Sequence, residues 1–181
     1  MAEWSRIARR IRVPLGFLLA VVYIWLAHPT WKSIGIGLLA CLPGILLRAL
    51  ASGHVKKNEE LTNSGPYAYT RNPLYLGSLI MAVGFAIAAQ SLWILALMLV
   101  MFFAIYLPVI HAEEQFLRSR FSNYDEYARN VPRLFPRLTS FGSAKASFSS
   151  ALYAQHREYN AILGTVAVFG ALVGKLWWRS N

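Results

Sequence analysis

Five apolar runs, at residues 13–27, 33–50, 73–89, 92–110 and 161–178, alternate with short polar segments along the chain. A helix rises about 1.5 Å per residue, so runs of this length approach or match a hydrocarbon core of about 30 Å. The pattern predicts an all-α integral membrane protein of about five transmembrane helices. The first run is short for a span and needs tilt or local thinning of the bilayer. It lacks a small-x-small cleavage site at its end, so it is expected to be retained. Before it, residues 1–12 are basic, and Trp4, Ile7 and Ile11 recur at helical spacing, which predicts an interfacial helix.

The polar punctuation is specific. His28-Pro29-Thr30-Trp31-Lys32 reads as a turn with an interfacial aromatic, and residues 52–71 as a polar loop. Pro73 disfavours helix at Asn72 and suits a first helical position, so the third helix should start there. Gln90-Ser91 leaves room only for a tight turn, which predicts that the third and fourth helices form an antiparallel hairpin in contact. Residues 111–120 turn polar but stay helical. Ser122 is placed to cap a short helix with Asp125 and Glu126 in its first turn. Residues 131–136 read as extended, 139–150 as a Ser-rich loop, and 151–160 as an amphipathic approach to the last run. Gly170-x-x-x-Gly174 in that run would permit close packing. The chain is thus expected to be one membrane domain over 1–181: a basic segment at 1–12, four spans within 13–110, a cytoplasmic catalytic segment at 111–160 and a fifth span at 161–178.

Composition agrees with this reading: 56% of the residues are hydrophobic and 14% charged, outside the range of a soluble globular domain. The net charge of +10 raises the question of nucleic acid, but the basic residues flank apolar runs, where anionic headgroups meet them. No nucleic-acid partner is expected. With an inner N-terminus, fifteen of the eighteen basic residues fall on inner segments, and only Lys32, Lys175 and Arg179 fall outside. The positive-inside rule therefore puts the N-terminus, the 52–71 loop and the 111–160 region in the cytoplasm. The single Cys41 excludes a disulfide framework, and His28, His54, His111 and His156 lack ligand spacing, so no metal is expected.

Chemistry concentrates in two stretches. Residues 64–77 form a polar loop feeding a helix N-terminus, whose free N–H groups suit an anionic group. Glu113 and Glu114 lie at the inner end of the fourth helix, and the hairpin brings Arg71 and Tyr75 within reach of one or the other. Tandem carboxylates point about 100° apart on a helix, so only one faces a given pocket. Glu114 could instead pair with Arg118 one turn on, Glu113 could be a headgroup-level charge, and Tyr67, Tyr124 and Tyr127 could be interfacial anchors.

Four motifs in order resemble the isoprenylcysteine carboxyl methyltransferase family and, more loosely, the phospholipid N-methyltransferases. They are Gly65-Pro66-Tyr67-x-x-x-Arg71-Asn72-Pro73-x-Tyr75-x-Gly77, Glu113-Glu114-x-x-Leu117, Phe121-x-x-Tyr124-x-x-Tyr127 and Val131-Pro132-Arg133-x-x-Pro136. The resemblance covers roughly residues 60–138. It implies a membrane enzyme that takes a methyl group from S-adenosylmethionine in a cytoplasmic pocket, with a lipid or prenylated acceptor entering from the bilayer. On this resemblance Arg71, Glu114 and Arg133 are expected to be catalytic. Gly65, Pro66, Tyr67, Asn72, Tyr75, Gly77, Glu113 and Leu134 are expected to hold the cofactor. The family usually has Arg-His-Pro where this chain has Arg71-Asn72-Pro73; Asn donates hydrogen bonds but carries no charge. Two other functions are weighed beside this one: a sterol- or isoprenoid-type reductase using NADPH, and a non-catalytic membrane scaffold of the same fold.

Overall fold

In the computed structural model, which describes residues 2–56, 59–142 and 147–180, the Asn-Pro dipeptide does start a helix: Asn72 is extended in φ (−129°) and Pro73 opens α3 (Pro73–Ala89). The other long helices are α1 (Ala2–Leu26), α2 (Trp31–Ser52) and α8 (Tyr159–Ser180). α4 (Leu92–Met101), a π turn (Phe102–Tyr106) and α5 (Leu107–Arg120) run together as one helix of 29 residues. Two short helices, α6 (Tyr124–Asn130) and α7 (Ser150–Gln155), lie in the polar part of the chain, and no strand occurs among the described residues.

Three of these helices, Trp31–Ser52, Leu92–Arg120 and Tyr159–Ser180, are long and apolar enough to cross a membrane. The apolar stretches Pro14–Leu26 and Pro73–Ala89 are shorter. The protein is an integral membrane protein with at least these three candidate spans. The basic segment at 1–12 is not a separate helix, because α1 continues through Pro14 without interruption. The side chains of Trp4, Arg6, Arg9, Arg10, Ile11 and Arg12, and residues Lys57 and Lys145, lie outside the described residues.

The expected hairpin is present but its packing differs. Gln90 closes α3 in the left-handed region (φ 49°) and the chain turns at once into α4. Yet α3 packs along its length on α2, and touches α4 far less. The reason is a seam of small residues seven apart on each helix. A Cβ on Gly44 would stand 2.6 Å from the Gly77 carbonyl oxygen, and one on Gly84 2.7 Å from that of Gly37. Two backbones can approach this closely only where side chains are missing. By contrast, Gly170 and Gly174, the expected packing pair, have no neighbour within reach of a Cβ. Ser122 does not cap α6 either; Asn123 stands at that position without a side-chain bond.

One end of the bundle is tied by polar contacts to backbone. The Tyr23 hydroxyl donates to the Phe85 carbonyl (2.9 Å), Ser33 to that of Ala88 (3.0 Å), and His28 N–H to that of Ala89 (2.8 Å). Lys175 of α8 donates to the carbonyls of Ile24, Trp25 and Ala27 at 2.6–2.9 Å, which satisfies the orphan acceptors at the end of α1. Lys175→Met is expected to lower stability by about 1–3 kcal/mol, the range for a charged donor that leaves acceptors unmet. Thermal unfolding in detergent would read it, and an unchanged midpoint would mean that this cap contributes nothing. Trp25, Trp31, Trp93, Trp177 and Trp178 all ring this same end and are exposed, as at a membrane–water interface.

Candidate active site

The opposite end gathers the polar residues. The Gly65–Ala68 turn starts at Gly65 with φ +56°, where a Cβ would also meet the His54 ring at 2.5 Å. From there the loop runs beside the 131–141 segment and is laced to it. Arg71 N–H donates to the Pro132 carbonyl (2.9 Å), Arg137 N–H to that of Tyr69 (3.0 Å) and Phe141 N–H to that of Ala68 (3.0 Å). The Thr70 hydroxyl lies within hydrogen-bond distance of the Arg133 and Leu134 carbonyls, at 3.2 and 3.0 Å. Beneath this lacing Tyr124, Tyr127 and Val131 form a small buried core. Tyr127 donates to the Tyr67 carbonyl (2.8 Å), and burial pushes the phenols of Tyr67 and Tyr127 well up, so both stay protonated. Tyr67 and Tyr127 are thus internal props, not interfacial anchors.

Glu114 is the centre of the cluster and is only 5% exposed. The Arg133 guanidinium grips it as a fork, with Nε at 3.0–3.1 Å from both oxygens and Nη2 at 2.7 Å from Oε2. Arg71 adds an ion pair at 3.5 Å, and Asn72 Nδ2 donates at 3.3 Å. The hydrogen bond to Glu114 holds the Arg133 guanidinium more firmly protonated than usual. Asn72 Nδ2 also donates to the Arg133 carbonyl (3.0 Å), so the amide hydrogens have protein acceptors. Arg118, the alternative partner of Glu114, instead pairs with Asp125 (2.7 Å). One carboxylate therefore joins three separate pieces of chain: the 71–72 loop, α5 and the 131–134 segment.

Glu113 points elsewhere and accepts from the Tyr75 hydroxyl (3.0 Å). The Tyr75 ring meets Tyr106 edge-on at 6.0 Å, and the Tyr67 phenol is influenced electrostatically by Glu113, Glu158 and Tyr75. Of the residues expected at the site, then, Arg71, Asn72, Glu114 and Arg133 meet in one cluster, with the Leu134 carbonyl on its edge. Tyr75 and Glu113 form a second group beside it, while Tyr67 is buried against Tyr127. Gly65 and Pro66 shape the turn. Gly77 lies apart, in the α2–α3 seam against Gly44 and Arg48.

Residues 11–124, more than half of the chain, match the family model described as phospholipid methyltransferase. The chain belongs to the phospholipid methyltransferase family. Arg133 and Leu134 lie beyond the matched residues. Among curated proteins the chain is 34% identical over 139 residues to the cobalt-zinc-cadmium resistance protein CzcN of Cupriavidus metallidurans, covering 72% of this chain and 63% of that one. It is 32% identical over 119 residues to the nickel-cobalt-cadmium resistance protein NccN of Alcaligenes xylosoxydans xylosoxydans, covering 63% and 56%. The chain thus spans less than two thirds of the length of either relative. No solved structure matches it.

In this family member the α3–α4 hairpin is splayed, and the gap is a cavity of about 420 Å³ walled by α1, α3, α4 and α8. Its walls are apolar, with Met81, Phe85, Met98 and Val168 among them. Phe102 and Tyr106 of the π turn line it too, and such turns widen a helix locally. Its polar end is made by Ser78, Asn160 and Arg48. Arg48 donates to Glu158 and Ser78 (both 2.5 Å) and to the Leu74 carbonyl (3.3 Å). Sequence reasoning missed this group. The signal for Arg48 was present, as a charge inside an apolar run, but its partner lies 110 residues away.

Proposed function

We propose that the protein is an S-adenosylmethionine-dependent methyltransferase for a lipid-like acceptor, with its N-terminus and donor site in the cytoplasm. The observation that carries this reading is the position of the Tyr75–Glu113 pair. It stands between the polar cluster around Glu114 and Tyr106, which lines the apolar cavity. A water-borne donor and a bilayer-borne acceptor need such a junction. A cavity of this size is in the range that holds one small ligand or one chain.

The cofactor supplies an activated methyl sulfonium, so the protein's task is alignment more than acid–base chemistry. Glu113 would accept from the ammonium or ribose hydroxyls of the donor. Tyr67, Tyr75 and Leu134 would flank its adenine. Glu114, locked by Arg71, Asn72 and Arg133, would keep the loop and the 131–134 segment in register around it. The apolar walls would exclude water from the transfer and hold the acceptor's chain. Metal resistance, the property named for the relatives, would follow on this reading from methylation of a membrane component.

Purified protein in detergent is expected to be stabilised by S-adenosylmethionine and by its demethylated product. At about a hundredfold excess over Kd the gain is about 2.7 kcal/mol, or a midpoint rise of about 5–10 °C. Tyr75→Phe, which removes one donor to Glu113, should shrink that shift. If NADPH stabilises the protein and neither methyl cofactor does, it is a reductase. If none of the three has an effect, the scaffold reading wins.

A further inference from the structure

A second cavity, of about 430 Å³, opens on the other side of Glu114, between α5, α6 and the 131–134 segment. Four arginines line it, Arg71, Arg118, Arg129 and Arg133, against two carboxylates, Glu114 and Asp125. The carboxylates are already committed. Glu114 is shared by Arg71 and Arg133, and Asp125 is held by Arg118. Two positive charges remain in excess. Arg129 has no ion-pair partner among the described residues, and Arg71 Nε is buried without a hydrogen-bond partner. The donor proposed above carries a net positive charge, so this cavity repels it and suits a different ligand.

We infer that the cavity binds a phosphate group. Guanidinium forks match tetrahedral phosphate oxygens; a dianion balances both excess charges and a monoanion one of them. Depth admits two sources. Arg118 lies 26 residues along the helix from Leu92, about 39 Å, beyond a hydrocarbon core of about 30 Å. The cavity is therefore at or below headgroup level, where an anionic phospholipid headgroup or a soluble phosphate ester can enter. Arg71 and Arg133 serve both this cavity and Glu114, so a bound phosphate competes with Glu114 for them. Occupancy is thereby linked to the loop that carries Asn72 and leads into α3, where Tyr75 stands. The anion site itself does not depend on the methyl-transfer reading.

The test uses the whole protein in two settings. In non-ionic detergent, sodium phosphate is compared with sodium chloride at matched ionic strength, by thermal shift and titration calorimetry. In nanodiscs, phosphatidylcholine is compared with phosphatidylcholine plus phosphatidylglycerol. The expected result is stabilisation by phosphate beyond chloride, by phosphatidylglycerol beyond phosphatidylcholine, or both. The first alone identifies a soluble ester, and the second alone a headgroup. Arg129→Gln, on an exposed side chain that should not disturb folding, is expected to weaken the effect about tenfold, the fold-change of one charge-assisted hydrogen bond. Arg120→Gln, exposed at the end of α5 but outside the cavity, should leave it unchanged. No preference in either setting, or equal loss in Arg120→Gln and Arg129→Gln, would overturn the proposal.

Discussion

Glu114→Ala should destabilise the protein by about 3–5 kcal/mol, the range for removing one member of a buried ion pair. The carboxylate is almost fully buried and answers Arg71, Arg133 and Asn72 at once. Its loss strands the Arg71 guanidinium, whose Nε already lacks a partner. Arg133 is 42% exposed and can turn to water, which places its share at the low end. Glu114→Gln keeps an acceptor for Asn72 and one guanidinium, so it should cost less than alanine. Thermal unfolding in detergent, together with limited proteolysis at the 131–141 segment, would check both variants. The segment should become cleavable in Glu114→Ala, because the lacing to residues 68–72 loses its central tie. Wild-type stability in Glu114→Ala would mean that the cluster is not what fixes that segment.

Gly44→Ala is the second large effect. Alanine favours a helix over glycine by about 1 kcal/mol, so a naive reading expects stabilisation. Here the new Cβ would meet the Gly77 carbonyl oxygen at 2.6 Å and Met81 Cγ at 2.8 Å. A backbone oxygen cannot swing away, so α2 and α3 must separate, at a net cost of about 1–3 kcal/mol. Gly35→Ala serves as the comparison, since nothing lies within 4 Å of its Cβ and only the propensity gain applies. The two variants should therefore shift the unfolding midpoint in opposite directions. Shifts of the same sign would show that the α2–α3 seam is looser than its geometry indicates.

How much of this could be read from the chain follows from what each signal measures. Hydropathy gave five runs, and the Asn72-Pro73 step gave the start of α3, because both are local. It could not choose the partner of α3, since α3 and α4 are apolar on every face and present no stripe to orient. The glycines that decide it, 37 with 44 and 77 with 84, are seven apart and so lie outside the GxxxG pattern that Gly170 and Gly174 of α8 satisfy. The tandem glutamates were legible as a divided pair, and Tyr75 and Arg71 did take one each. What remained hidden was long-range. Arg48 finds Glu158, and Thr70 and Asn72 spend their side chains on the carbonyls of residues 133 and 134. No periodicity encodes such contacts, because they depend on where two loops arrive after folding.

The ring of five tryptophans has a mechanical meaning. Indoles at one end fix the height of the bundle against one leaflet, and no matching ring of described tryptophans stands at the other. A thicker or thinner bilayer is then accommodated away from this ring, toward the opposite end. That is the end where Arg48, Tyr75 and the Glu114 cluster sit. Lipid chain length would thus act on the site as a ruler, setting how far the mouth of the cavity stands from the headgroups it serves.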